Sequence, residues 1–163
     1  MSEIGYIINV PEKFSADERE VFRKLLQQQG KMQKVTIDKV NRCQLLCVCR
    51  VDNNIVSIGA IKPKTNSDFD SNKADLDRMR SEFKVELGYC FTLPGYTGNG
   101  FSSLIVKMLI EKIGKENIMA STELRGDNSM TRILERSGFK QYGKPWKSGI
   151  HGGALGLFLK FAK

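Results

Sequence analysis

The stretch VELGYCFTLPGYTGNGFSSLIVKML, residues 85–109, passes from an alternating apolar segment through a glycine-rich turn into an apolar repeat at helical spacing. Val85, Leu87, Tyr89, Phe91 and Leu93 alternate with Lys84, Glu86, Gly88, Cys90 and Thr92, the two-residue period of a β-strand. Phe101, Leu104, Ile105, Met108 and Leu109 then recur at i, i+3, i+4, i+7 and i+8, which predicts a helix with that apolar stripe and Gly114 at its end. Pro94, Gly95, Gly98 and Gly100 lie between the two. A strand, a glycine turn and a helix make a generic anion site, because the first N–H groups of a helix have no partner inside it and its dipole attracts negative charge.

Two nucleotide readings of this turn fail on spacing. A Walker-type loop needs Gly-Lys-Ser/Thr at its end, and here the last glycine is followed by Phe101 and Ser102. Gly98, Gly100 and Ser103 approximate a dinucleotide fingerprint, with Glu123 near the expected acidic position. In that fold the first glycine follows the strand almost directly, whereas Leu93 to Thr97 intervene here, and too little chain follows Glu123 to complete a parallel half-sheet.

Outward from this stretch, GYIINV (5–10) reads as a short first strand stopped by Pro11. SADEREVFRKLLQQQG (15–30) reads as a helix with Ser15 and Glu18 at capping-box spacing and Gly30 at its end. QLLCVCRV (44–51) and NIVSIGAIKP (54–63) flank Asp52, Asn53 and Asn54 as a β-hairpin. The polar segment KPKTNSDFDSNKADLDRMRSEF (62–83) is expected to be a mobile loop or short helix near a site. NIMAST (117–122) is a strand, NSMTRILERSG (128–138) a short helix with Met130, Ile133 and Leu134 inward, and GALGLFLKF (153–161) a last strand. The order βα(α)βββαβαββ predicts an α/β fold, a mixed α+β sheet, with a central, mostly antiparallel sheet flanked by helices in one domain over 1–163.

The 163 residues allow one core, and no run approaches the roughly 18 apolar residues of a membrane span. MSEIGYIINVPEKF (1–14) lacks a basic region, a long apolar stretch and a cleavage site, so a cytoplasmic protein with no membrane partner is expected. Cys43, Cys47, Cys49 and Cys90 lack zinc-knuckle spacing, which points to buried reduced thiols and no metal. The net charge of +8 implies an anionic ligand. Its scattered lysines and arginines favour a small polyanion over nucleic acid, since no nucleic-acid-binding motif accompanies them.

Residues 85–109 resemble motif A of the GNAT superfamily of N-acetyltransferases, in which a central strand meets a proline-containing bend and a Q/R-x-x-G-x-G/A loop. DNSMTRILERSGF (127–139) is similar to the family's second block, and CRVDNNIVSIGAI (49–61) to the hairpin before the central strand. The resemblance covers about residues 5–162 and implies the acyl-CoA N-acyltransferase fold. It implies direct transfer of an acetyl group from acetyl-CoA to a primary amine of a small or macromolecular acceptor, in a chain for which a homodimer is one expected state. The alternative is a GNAT-fold module that binds CoA or an anionic partner without transfer.

By the same resemblance, the pyrophosphate would sit on the N–H groups of Gly98, Asn99, Gly100, Phe101 and Ser102, beside Thr97. Phe91, Thr92 and Leu93 would offer main-chain groups to the pantetheine arm, and Asn128 and Leu134 would flank the arm or thiol. Glu86 stands where many relatives hold the carboxylate base, and Glu123 is the other carboxylate in question. Three positions depart from the pattern: Gly95 replaces the loop's glutamine or arginine, Thr97 a common arginine, and Leu134 the tyrosine that protonates the thiolate. Tyr142, in FKQYGKPW, is the other candidate for that acid, while Trp146 reads as core and His151 as a loop residue.

Overall fold

The computed structural model describes residues 2–125, 129–149 and 152–162. Its contacts divide the chain into two compact units, residues 1–62 with 87–114 and residues 63–86 with 115–163.

The first unit holds β1 (Ile4–Asn9), α1 (Ala16–Gln29), α2 (Ile37–Asn41), β2 (Leu45–Val51), β3 (Asn54–Pro63), the larger part of β4 (Val85–Thr92) and α3 (Phe101–Ile113). Helix α1 starts at the expected capping box: Ser15 Oγ accepts the Glu18 N–H at 3.0 Å, and Glu18 Oε1 accepts the Ser15 N–H at 2.7 Å. It ends at Gly30 in the left-handed region. Strand β2 pairs antiparallel with β1 and with β3, and the β2–β3 turn uses positive φ at Asp52 and Asn53, the hand that matches strand twist. Alternation then sorts the side chains. Leu46, Val48, Ile58 and Ala60 meet Phe22, Leu25 and Leu26 of α1, with Tyr89, Phe91 and Leu93 against the same cluster. On α3, Ile105 and Leu109 approach Gly59, where an added Cβ would lie 2.6 Å from Ile105 Cγ2.

Helix α3 has the expected bounds and a rotated stripe. Phe101, Ile105, Val106 and Leu109 are buried, whereas Leu104, expected inward, is 38% exposed. In the first turn Ser102 Oγ lies 2.9 Å from Thr92 Oγ1, while the helix packs over β2 and β1 and its Ile105 and Leu109 approach Gly59 of β3. Strand β4 also departs from simple alternation. Tyr89 has φ 58, a left-handed conformation rare for an aromatic residue, so the single face expected from Val85 to Leu93 is interrupted there.

In the second unit the first residues of β4 pair parallel with β5 (Ile118–Glu123), at Val85↔Ile118 and Glu86↔Met119. Strand β5 pairs antiparallel with β7 (Ala154–Lys160), and β7 with β6 (Lys140–Lys147), whose register shifts between Tyr142 and Trp146. Helix α4 (Ser129–Arg136) precedes β6 and buries Leu134. Segment 62–83, expected as a mobile loop or a short helix, is helical in part and more buried than its polarity suggests. It forms two 3₁₀ turns, Asn66–Phe69 and Asp77–Glu82, and buries Phe69, Ala74 and Phe83 completely in a core with Met119, Trp146, Leu157 and Leu159. Arg80 ties the segment together through Asp70 at 2.7 Å, the Asn66 carbonyl at 2.9 Å, and Asp77.

The strand order is β1-β2-β3-β4-β5-β7-β6, antiparallel at β1–β2, β2–β3, β5–β7 and β7–β6 and parallel at β4–β5. This is the mixed, mostly antiparallel α/β sheet that the element order predicts. Among the described residues no helix is long and apolar enough to cross a membrane.

Candidate functional site

In the first unit the glycine turn leads into α3 through Gly100, the N-cap residue at φ 78, and no side chain caps the helix. Helices α1 and α2 are treated differently, since Ser15 and Thr36 accept N–H groups of their own first turns. The first-turn N–H groups of α3 have no such side-chain cap among the described residues, the condition under which a helix start can take an anion. Gly95 and Gly98 also have positive φ, 96° and 82°, and a Cβ added at any of the three glycines would meet nothing within 4 Å. Open space thus faces the main chain of a turn held in shape by its own bonds: Tyr96 N–H to Leu93 C=O at 3.0 Å and Asn99 Nδ2 to Tyr96 C=O at 2.9 Å. Thr97 lies within that turn. Phe101 anchors its far side, buried and edge-on to Tyr6 at 6.4 Å between ring centroids.

Along β4, residues 85–87 are buried and residues 88–92 half-buried, and the parallel ladder to β5 stops at Glu86. Phe91 turns its side chain into the α1 core. Leu93 does the same, and both of its main-chain groups are engaged, the N–H with Val56 C=O at 2.8 Å and the C=O with Tyr96 N–H. The Leu93 carbonyl keeps a second lone pair, so of its two main-chain groups that oxygen is the one able to meet a ligand, beside Phe91 and Thr92. The Thr92 side chain has a place of its own, between Ser57 Oγ at 2.7 Å and Ser102 Oγ at 2.9 Å. Sequence reasoning missed Ser57; its one signal was a hydroxyl in the otherwise apolar run NIVSIGAI.

In the second unit Glu86 is 6% exposed, and its Oε1 accepts the Thr65 N–H at 2.7 Å. Glu123 is paired with Arg125 at 3.4 Å. The Tyr142 ring is half-buried, edge-on to Phe161 at 5.7 Å, beside the cluster that contains Trp146. Leu134 is 1% exposed, and its carbonyl accepts the Phe139 N–H at 3.0 Å. Asn128 and His151 lie outside the described residues. Burial pushes the Cys43 and Cys47 thiols up to about 12, so both are neutral packing groups at ordinary pH.

No protein-family model matches the sequence, and no curated protein does. Solved structures do match. An acyl-CoA N-acyltransferase from Pseudomonas aeruginosa is 10% identical with a TM-score of 0.68, over 97% of this chain and 99% of that one. An acetyltransferase of the GNAT family from Streptococcus pneumoniae is 13% identical with a TM-score of 0.66, over 99% and 100%. A chain of the NatC complex, solved with Gag peptide and CoA, is 13% identical with a TM-score of 0.70, over 99% of both. At such identities the likeness concerns the path of the backbone, and it spans both chains nearly end to end. The chain has the fold of the GNAT acyl-CoA N-acyltransferases.

Proposed function

We propose that the protein is an N-acetyltransferase that takes its acyl group from acetyl-CoA and delivers it directly to a primary amine. The observation that carries this reading is the start of α3: a first turn capped by no side chain of the chain, behind three positive-φ glycines with open space where their Cβ atoms would be. Such a cradle suits a diphosphate, because main-chain N–H groups reach it without a side chain in the way. Gly98, Asn99, Gly100, Phe101 and Ser102 would hold that group, with Thr97 at the edge, and the main chain of Phe91 and Thr92 would face the arm. When bound, the cofactor supplies an activated thioester.

The rest falls to the chain's own carboxylate and phenol. Glu86, whose Oε1 also accepts the Thr65 N–H, would remove the proton of the acceptor ammonium, directly or through a water. Tyr142 is the candidate donor to the departing thiolate; its ring is fixed by Phe161. A second reading, a GNAT-fold module that binds CoA without transfer, is favoured by the completely apolar side chain of Leu134 at the position of the family's acid. Labelled acetyl-CoA incubated with the protein and a cell extract, followed by mass spectrometry of the products, decides between them. A labelled amine that depends on Glu86 supports transfer, and CoA binding with no labelled product supports the module.

A further inference from the structure

Ser57, Thr92 and Ser102 form a chain of hydroxyls that runs from the interior of the first unit to the first turn of α3. Ser57 Oγ lies 2.7 Å from Thr92 Oγ1, and Thr92 Oγ1 lies 2.9 Å from Ser102 Oγ. Ser57 is fully buried on β3 and pairs across the sheet with Cys49, which pairs in turn with Tyr6.

Proton counting gives this chain a direction. Three hydroxyls carry three protons, and two oxygen–oxygen contacts use two of them. If Ser102 donates to Thr92 and Thr92 to Ser57, the third proton belongs to Ser57, which is 0% exposed and whose hydroxyl, among the described residues, meets Thr92 alone. A buried hydroxyl proton without an acceptor carries the full desolvation penalty. In the opposite sense Ser57 donates to Thr92, Thr92 donates to Ser102, and the third proton sits on half-buried Ser102, in the first turn of α3 just after Gly100. The buried end thus makes Ser57 the donor to Thr92; if both serines donated to Thr92, its own proton would have neither of them as acceptor, so Thr92 passes it to Ser102, and hydrogen bonds in series strengthen the last donor.

We infer that Ser57 and Thr92 are positioning residues that hold the Ser102 hydroxyl as a hydrogen-bond donor to the diphosphate of the cofactor. This rests on the acyl-CoA reading given above. Thr92 lies on the strand and Ser102 on the helix, so the same bond also ties the first turn of α3 to β4.

The test is calorimetric titration of CoA into the wild-type protein and into Thr92→Val, Thr92→Ser and Ser57→Ala, with the melting temperature of each ligand-free protein recorded. Valine keeps the shape of threonine and removes the relay, whereas serine keeps the relay and removes a methyl. The expected result is a loss of CoA affinity of about tenfold in Thr92→Val, a smaller loss in Ser57→Ala, and affinity within about twofold of wild type in Thr92→Ser. Unchanged affinity in Thr92→Val overturns the inference, and so does an equal loss in Thr92→Ser, which would assign the effect to packing. Wild-type protein that does not bind CoA fails the underlying reading itself, a different result from either.

Discussion

The Glu86 carboxylate accepts the backbone N–H of Thr65 at 2.7 Å, so a buried acid in β4 fastens the first residues after β3. One carboxylate oxygen is thereby structural, and chemistry at the residue must be separated from this anchoring. Glu86→Gln does so, because a glutamine oxygen can accept the same N–H while the side chain no longer takes up a proton. We expect kcat/KM for the amine to fall by roughly 10²-fold or more with the melting temperature nearly unchanged. Glu86→Ala should in addition destabilise the fold by about 1–3 kcal/mol, since the Thr65 N–H loses its partner. Wild-type activity in Glu86→Gln would restrict the residue to anchoring.

The glycines offer an internal control. Gly30 and Gly100 have nearly the same φ, 80° and 78°, one closing α1 and the other opening α3. Alanine at either position strains the backbone by about 1–2 kcal/mol. Only Gly100→Ala puts a methyl at the proposed diphosphate, so it alone should weaken CoA binding by about tenfold or more beyond that common loss. Equal CoA affinity in the two variants would move the site away from this turn.

Tyr142→Phe keeps the ring that packs edge-on to Phe161 and removes only the hydroxyl. If the phenol protonates the thiolate, kcat should fall by about tenfold or more while the KM for acetyl-CoA and the melting temperature stay put. An unchanged kcat would leave Tyr142 a packing role and the thiolate an unassisted departure.

The order of elements was legible in the sequence because its punctuation is strong: the Ser15 and Glu18 capping box, Gly30, the Asp52–Asn53 turn and Gly114 all stand where the elements end. The burial of segment 62–83 was hard to read because its packing rests on Phe69, Ala74 and Phe83, with Leu76 and Met79 beside them, at spacings that show no regular period. The α3 stripe came out rotated, with Val106 buried and Leu104 exposed, and polar Ser102 rather than an apolar residue meets β4 at Thr92. The glycine turn was readable from composition, whereas Ser57 was not, since nothing local in NIVSIGAI says that its hydroxyl meets Thr92. The left-handed Tyr89 also has no local signal, because its conformation is one that an aromatic residue avoids on its own.

Stability should fall in alkali. Burial raises the Cys43 and Cys47 thiols from 9.0 to about 12, so the unfolded chain loses these protons first. Their contribution is complete below pH 9.0 and is lost as pH rises from there toward about 12, at on the order of 1 kcal/mol per pH unit for each thiol. Urea denaturation between pH 8 and 10.5 measures this slope, and Cys47→Ala should flatten it. A stability independent of pH over that range would contradict the assignment.

The central claim is that the turn at the start of α3 binds the diphosphate of CoA. Calorimetric titration of CoA into dialysed protein tests it most directly, with the melting temperature followed in parallel. Saturable binding at one CoA per chain is predicted, with stabilisation of about 2.7 kcal/mol at a free concentration 100 times the Kd, and Gly100→Ala should lose most of it. No heat of binding and no shift in melting temperature at millimolar CoA would contradict it.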